Sequence, residues 1–196
     1  SLIGDVVIAR DVRSPLYSFS VVIDDAAMKI SHVIRGEDLL PTTPSQILLQ
    51  KTFGFEEPRY AHLPLILGQD RKKLSKRYSD TSLFEYRTRG YLPGALINFI
   101  ALLGCHPKDA REILTLDEFV KEFDLKRVQK AGAIFNSEKL DWLNGQYIKR
   151  LPIDELVEQL KPFLEEKKIS ASDDFLKKIA EAERERVKTL QDFFIL

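Results

Sequence analysis

Five of the seven residues in the segment Arg71–Arg77 carry a positive charge. The segment follows a short apolar run, Leu63–Leu67, and the turn-forming residues Gly68–Asp70 separate the two. Lysine ammonium groups, a serine hydroxyl and backbone N–H groups on such a loop can bind the phosphates of a nucleotide. A solvated basic loop is the alternative, because runs of charge are common on protein surfaces.

The order of residues in this basic segment is more informative than its charge. Lys73-Leu74-Ser75-Lys76-Arg77 resembles the second signature motif of class I aminoacyl-tRNA synthetases, in the form used by glutamyl-tRNA synthetases. From about Asp5 to the C-terminus, further segments resemble the same family in the same order. They are Pro15–Asp25, Ile30–Asp38, Thr43–Gln46, His62–Gly68, Gly90–Asn98 and Leu102–Gly104. Several segments in register are more specific than one five-residue motif.

The resemblance implies a function and assigns roles to particular residues. It implies glutamate–tRNA ligase activity, in which ATP activates glutamate and the acyl group then passes to tRNA(Glu). The implied catalytic residues are Lys73, Ser75, Lys76 and Arg77, with Lys76 contacting the transition state. Leu65, Leu67, Lys73 and Lys76 are implied to bind ATP, and Tyr17 and Arg35 to bind glutamate. The attacking carboxylate is already ionised at neutral pH, so such a site must align groups and neutralise phosphate charge rather than supply a general base.

Arg35 has a second interpretation that does not involve a substrate. It lies at the end of a β-branched run, where a pocket could open at the edge of a sheet. A carboxylate substrate would suit its guanidinium. A structural ion pair with Glu37 or Asp38 is the alternative, and core packing is the alternative for Tyr17.

The sequence does not predict a metal ion held by protein side chains alone. Its His, Cys, Asp and Glu residues show no metal-ligand spacing. Asp24 and Asp25 are better explained as residues that end a strand and brace a turn. We therefore expect Mg²⁺ only together with ATP. The single cysteine, Cys105, excludes an internal disulfide and is expected to be a buried structural thiol.

The expected fold class is α/β followed by all-α. The predicted strands are Val6–Ala9, Phe19–Ile23, Ile30–Ile34 and Leu63–Leu67, the last buried on both faces. A helix is expected between Thr42 or Thr43 and Gly54. After residue 80 only helices are predicted. They start near Ser82, Pro93, Thr115, Asn136, Pro152 and Ser170 or Ser172, with a kink or break at Pro162.

Three domains are expected from the resemblance. Residues 1–81 would be the second half of a class I nucleotide-binding (Rossmann-like) catalytic domain. Residues 82–151 would be a helical stem-contact domain, and 152–196 the start of a helical anticodon-binding domain. The His-Ile-Gly-His-like motif of class I synthetases is not present in the sequence. We therefore expect an internal fragment that is inactive alone.

Composition is compatible with this prediction but does not establish it. Hydrophobic residues make up 44% of the chain, and 30 basic and 30 acidic residues leave no net charge. No apolar run approaches the roughly 20 residues of a membrane span. We expect a monomeric cytoplasmic protein, or an organellar one if the parent carries a transit peptide. A non-catalytic tRNA-binding module, a glutaminyl-tRNA synthetase and a shorter tRNA-modifying paralogue remain alternative functions.

Overall fold

The structure is a computed structural model that describes residues 4–74 and 82–195. The predicted catalytic residues Ser75, Lys76 and Arg77 lie outside the described residues. The chain forms two compact units, Ser1–Leu65 and Ile66–Leu196. The three expected domains, 1–81, 82–151 and 152–196, remain a prediction.

The first unit is built around two parallel strands and two helices. Its elements are α1 (Tyr17–Ala27), β1 (His32–Gly36), a 3₁₀ segment (Glu37–Thr42), α2 (Thr43–Phe53) and β2 (Arg59–Leu63). Helix α2 connects the parallel strands β1 and β2, and their register places Arg35 opposite His62. The predicted bounds of α2 are confirmed: Pro44 lies in its first turn, and Gly54 ends it at φ 69°.

Two predicted strands in this unit are wrong. Phe19–Ile23 lies inside α1, where Val22 is buried and the Phe19 ring makes an edge contact with Phe53 of α2. Packing against α2 therefore decides the conformation of Phe19–Ile23, although its residue types also suit a strand. Val6–Ala9 is not a strand either, since only Ala9 forms an isolated bridge, with Pro15.

The prediction of a buried strand at Leu63–Leu67 is also wrong. Strand β2 is Arg59–Leu63, so only Leu63 belongs to it. Pro64 has no backbone N–H and cannot continue the ladder. The following residues are partly exposed, with Ile66 at 38% of its full accessibility.

The second unit begins with a tight hairpin, Ile66–Leu74. The Leu74 N–H donates to Ile66 O at 3.0 Å and the Gly68 N–H to Lys72 O at 2.8 Å, so the predicted turn at Gly68–Asp70 is confirmed. On its other side, Leu67 exchanges backbone hydrogen bonds with the 133–135 segment. The basic loop therefore starts from a segment anchored on both edges.

Beyond Ser82, all named elements of the described chain are helices, as predicted. They are α3 (Leu83–Thr88), α4 (Pro93–Gly104), α5 (Leu116–Glu122), α6 (Ser137–Arg150), α7 (Ile153–Lys167) and α8 (Asp173–Glu183), with 3₁₀ segments at Leu125–Arg127 and Leu190–Phe194. Capping boxes at Ser82 and Thr115 and side-chain caps at Asn136 and Ser172 start four of the helices. Helix α7 runs through Pro162 without a break.

A buried amide joins distant parts of the second unit. The Asn144 side chain is fully buried; its Oδ1 accepts from the Leu92 N–H at 2.8 Å, and its Nδ2 donates to Lys188 O at 2.6 Å. Beside it, Gly90 lies at φ 82°, and its carbonyl accepts from the Leu190 N–H at 3.0 Å. The 188–190 segment is thereby fixed against the start of α4. In the described ranges, no helix has the length and apolar character needed to span a membrane.

Candidate active site

Arg35 lies next to the carboxyl end of β1, where ligand sites form in parallel sheets. Helix α2 supplies acceptors for its guanidinium. Nη2 donates to Thr43 Oγ1 at 2.9 Å and to Gln46 Oε1 at 2.6 Å. Both acceptors are buried, Thr43 at 6% exposure and Gln46 at 1%. Because they lie one helical turn apart, they face the strand together and fix the guanidinium at one end.

The other end of the guanidinium remains available. Among the described residues, none accepts a hydrogen bond from Nη1, and no carboxylate lies within ion-pair distance of Arg35. The alternative of an ion pair with Glu37 or Asp38 is therefore wrong. Glu37 instead accepts from the Leu65 N–H at 3.3 Å. Within residues 4–74 and 82–195, Arg35 thus keeps two N–H donors on Nη1 and a positive charge that no carboxylate neutralises by contact.

Strand β2 supplies two aromatic side chains that support Arg35. The guanidinium carbon lies 5.3 Å from the centre of the Tyr60 ring, and the Tyr60 and His62 rings stack at 6.4 Å. The Tyr60 hydroxyl accepts from Gln50 Nε2 at 2.9 Å. Burial raises the pKa of Tyr60, and the hydrogen bond from Gln50 opposes that shift. The phenol stays neutral and its ring faces the cation.

His62 lies between Arg35 and Thr43. Its Nε2 is 3.4 Å from Arg35 Nε and 3.1 Å from Thr43 Oγ1. A guanidinium N–H can only donate, so the facing Nε2 acts as an acceptor and the ring proton is assigned to Nδ1. His62 is therefore a hydrogen-bonded structural histidine that links Arg35 to Thr43.

Asp25 is an acidic group whose charge interacts with this cluster. Burial raises the pKa of its carboxyl, and the positive charge of Arg35 opposes that shift. Asp24 and Asp25 lie near the end of α1, not at the end of a strand as predicted. In the part of the chain that the structure describes, no three His, Cys, Asp or Glu side chains are grouped so as to hold a metal ion.

The remaining predicted site residues occupy different settings. Tyr17 is the first residue of α1, with 54% of its surface exposed, rather than part of a strand. Leu65 and Leu67 are partly buried, and Leu67 is bridged to Lys73 across the hairpin. Lys73 is exposed at the end of that hairpin. The Lys72 N–H donates to Asp70 Oδ1 at 3.0 Å, which stabilises the turn before the basic residues.

The residues that the sequence analysis did not assign to the site are the partners of Arg35. Thr43 and Gln46 belong to a segment that resembles the family's helix start, but neither was given a role at the site, and Tyr60 was given none. The three-residue spacing of Thr43 and Gln46 at the start of a helix after Arg35 was a usable signal. The strand register, which brings His62 opposite Arg35, had no local signal. Together these groups can hold the Arg35 guanidinium in position to bind an anionic ligand.

Comparisons with known proteins identify the family. Residues 1–142 match the family described as tRNA synthetases class I (E and Q), catalytic domain. A glutamate–tRNA ligase of Aquifex aeolicus (strain VF5) is 50% identical over 192 residues, which is 96% of this chain and 41% of that protein. A glutamate–tRNA ligase 2 of Thermoanaerobacter pseudethanolicus is 46% identical over 195 residues, covering 98% of this chain and 41% of that protein.

Two solved structures that match this chain are also of glutamate–tRNA ligases. A glutamate tRNA ligase from Elizabethkingia meningosepticum, crystallised in complex with its amino acid, matches with a TM-score of 0.86 and 38% identity over 99% of this chain and 42% of its own. A glutamate-tRNA synthetase from Elizabethkingia anophelis matches with a TM-score of 0.88 at 38% identity, covering 99% of this chain and 43% of its own. The chain thus spans about two fifths of the length of the curated relatives it matches. It belongs to the family of class I tRNA synthetases for glutamate and glutamine, and its residues 1–142 match the catalytic domain of that family.

Proposed function

We propose that this chain is part of a glutamate–tRNA ligase, which activates glutamate with ATP and transfers it to tRNA(Glu). The observation that carries the proposal is Arg35, whose guanidinium is fixed on one side by α2 and has no carboxylate of the described residues within ion-pair distance on the other. A substrate carboxylate would supply the missing anion. The names of the relatives favour glutamate over glutamine.

In the proposed reaction, a carboxylate of glutamate attacks the α-phosphorus of ATP and pyrophosphate leaves. The contribution of the protein is to bring the two substrates together and to neutralise the charge on the phosphates. Lys73 and Lys76 would supply the positive charge, with Ser75 and Arg77 in the same loop. Leu65 and Leu67 would contact the nucleotide, and Tyr17 would assist Arg35 at glutamate. Mg²⁺ would arrive with the phosphates of ATP as part of the substrate.

The helical part of the chain would serve the tRNA. We propose that residues 82–151 contact the acceptor stem and that residues 152–196 begin an anticodon-binding domain. The proposal rests on the order of segments shared with the relatives, which extends over 96–98% of this chain. The ligase would be a monomer working in the cytoplasm or an organelle.

The experiment is ATP–pyrophosphate exchange by the full-length protein, with tRNA present and with glutamate, glutamine or aspartate as the amino acid. The proposal predicts exchange that depends on glutamate. Exchange that depends on glutamine would indicate a glutaminyl-tRNA synthetase. The absence of exchange with every amino acid, together with retained tRNA binding, would favour a non-catalytic tRNA-binding module.

A further inference from the structure

We propose that Gln46 is a positioning residue for Arg35, and that its neutral amide keeps the guanidinium charge available for the substrate carboxylate. The inference rests on the proposed function, because it concerns how the same site takes up glutamate. Arg35 has a long side chain with many rotamers, so an arginine ready to bind must be held by its neighbours.

Two hydrogen bonds to α2 fix the orientation of Arg35. Gln46 Oε1 accepts from Arg35 Nη2 at 2.6 Å, and Thr43 Oγ1 accepts from the same nitrogen at 2.9 Å. These two bonds use both N–H groups of Nη2. The orientation of the guanidinium plane is then fixed, and both N–H groups of Nη1 are left for a ligand, because none of the described residues accepts from them.

The Gln46 side chain is neutral, so it does not compete for the charge of Arg35. A glutamate side chain at position 46 could accept the same hydrogen bond, but it would neutralise Arg35 with a buried carboxylate. The substrate carboxylate would then have to compete with a protein anion for one cation. An amide oxygen fixes the donor without that competition.

The Gln46 amide nitrogen is a buried donor that none of the described residues uses. Gln46 is 1% exposed, yet its Nε2 has no hydrogen-bond partner among the described residues. Burying an unsatisfied donor costs stability, and an apolar residue of similar size would avoid the cost. The requirement for an oxygen facing Arg35 explains why an amide occupies this position.

The same helix offers a matched control. Gln50 lies one turn further along α2, is 2% exposed, and has an unpartnered Oε1. Its Nε2 donates to the Tyr60 hydroxyl and does not contact Arg35. Gln50→Met and Gln46→Met therefore remove the same group from equally buried positions, but only the second removes a direct hydrogen bond of Arg35, whereas Gln50 reaches Arg35 only through the Tyr60 ring.

The test compares Gln46→Met, Gln46→Glu and Gln50→Met in the full-length protein, by exchange kinetics at varied glutamate and saturating ATP and tRNA. We expect Gln46→Met to raise the KM for glutamate about tenfold or more, since a hydrogen bond to a charged group is lost. Gln46→Glu should raise that KM further while leaving the KM for ATP unchanged. Gln50→Met should change the KM for glutamate less than about threefold, although it loses comparable thermal stability.

Two results would overturn the positioning role. One is an equal change of KM in Gln46→Met and Gln50→Met, which would indicate a general structural effect. The other is a Gln46→Glu protein with the wild-type KM, which would show that the neutral charge at position 46 is irrelevant. Gln46→Glu is nearly isosteric, so it keeps the test decisive if Gln46→Met fails to fold. A wild-type protein without glutamate-dependent exchange would instead overturn the proposed function itself.

Discussion

Replacing Arg35 with methionine should impair the use of glutamate far more than the use of ATP. Arg35→Met keeps a long apolar side chain but removes the charge. Two things are then lost. The buried oxygens of Thr43 and Gln46 lose their donor, and the substrate carboxylate loses its cation. The first loss affects folding, and the second affects glutamate directly.

The size of the kinetic effect follows from the second loss. Truncating one partner of a buried, hydrogen-bonded charge pair costs about 2–5 kcal/mol, which is roughly a 30- to 5,000-fold fall in kcat/KM for glutamate. Arg35→Lys should have a kcat/KM for glutamate between those of Arg35→Met and wild type. A lysine keeps the charge, but its ammonium cannot satisfy the two acceptors on α2 and also present a planar pair of donors to the ligand.

The assay is steady-state ATP–pyrophosphate exchange with glutamate varied, and then with ATP varied. Arg111→Met is the matched control, because it removes an arginine that is paired with Asp109, Glu118 and Glu122 and partly exposed. It should change kcat/KM by less than about fivefold, since exposed ion pairs contribute little. An Arg35→Met enzyme within about threefold of wild type for glutamate would refute the binding role, because the expected loss is at least tenfold larger.

Two further predictions concern the segment that Asn144 and Gly90 fix. Gly90→Ala should lower the free energy of unfolding by about 1–3 kcal/mol, because Gly90 has φ 82° and a Cβ would lie 2.7 Å from the Leu190 nitrogen. Gly104→Ala is the control, since a Cβ there would have nothing within 4 Å. Urea denaturation of both variants is the measurement. Asn144→Leu should cost about 1–3 kcal/mol for each buried group left unpaired, namely the Leu92 N–H and the Lys188 carbonyl. If either variant unfolds at the wild-type urea concentration, the 188–190 segment does not depend on these contacts.

Sequence signals located the helices of this chain better than its strands. The ends of α2 were readable because Pro44 and Gly54 act through their own backbone geometry. Helix starts at Thr115 and Asn136 were readable because their caps are made by nearby side chains. The run Phe19–Ile23 was misassigned because a short apolar run has no period that separates strand from helix, and contact with α2 decided the outcome.

At the candidate site too, features set by neighbouring residues in the sequence could be predicted, and contacts between distant residues could not. The position of Arg35 at the end of a strand could be predicted, because the β-branched run before it is local. Its partners could not, because Gln46 comes from the connecting helix and His62 from a strand 27 residues away in sequence. The alternative ion pair of Arg35 with Glu37 or Asp38 does not form, because these residues follow the strand into a 3₁₀ segment.

In the proposed function, Lys76 neutralises charge on the transferring phosphate and Arg35 binds the glutamate carboxylate. The most direct test is the exchange kinetics of Lys76→Ala in the full-length protein, measured beside Arg35→Met. Losing a preorganised contact to the transferring phosphate typically costs about 2.7–4 kcal/mol, so Lys76→Ala should lower the exchange rate roughly 100- to 1,000-fold with little change in the KM for glutamate. A rate within a few fold of wild type would contradict the phosphate role and leave Arg71–Arg77 as a solvated basic loop.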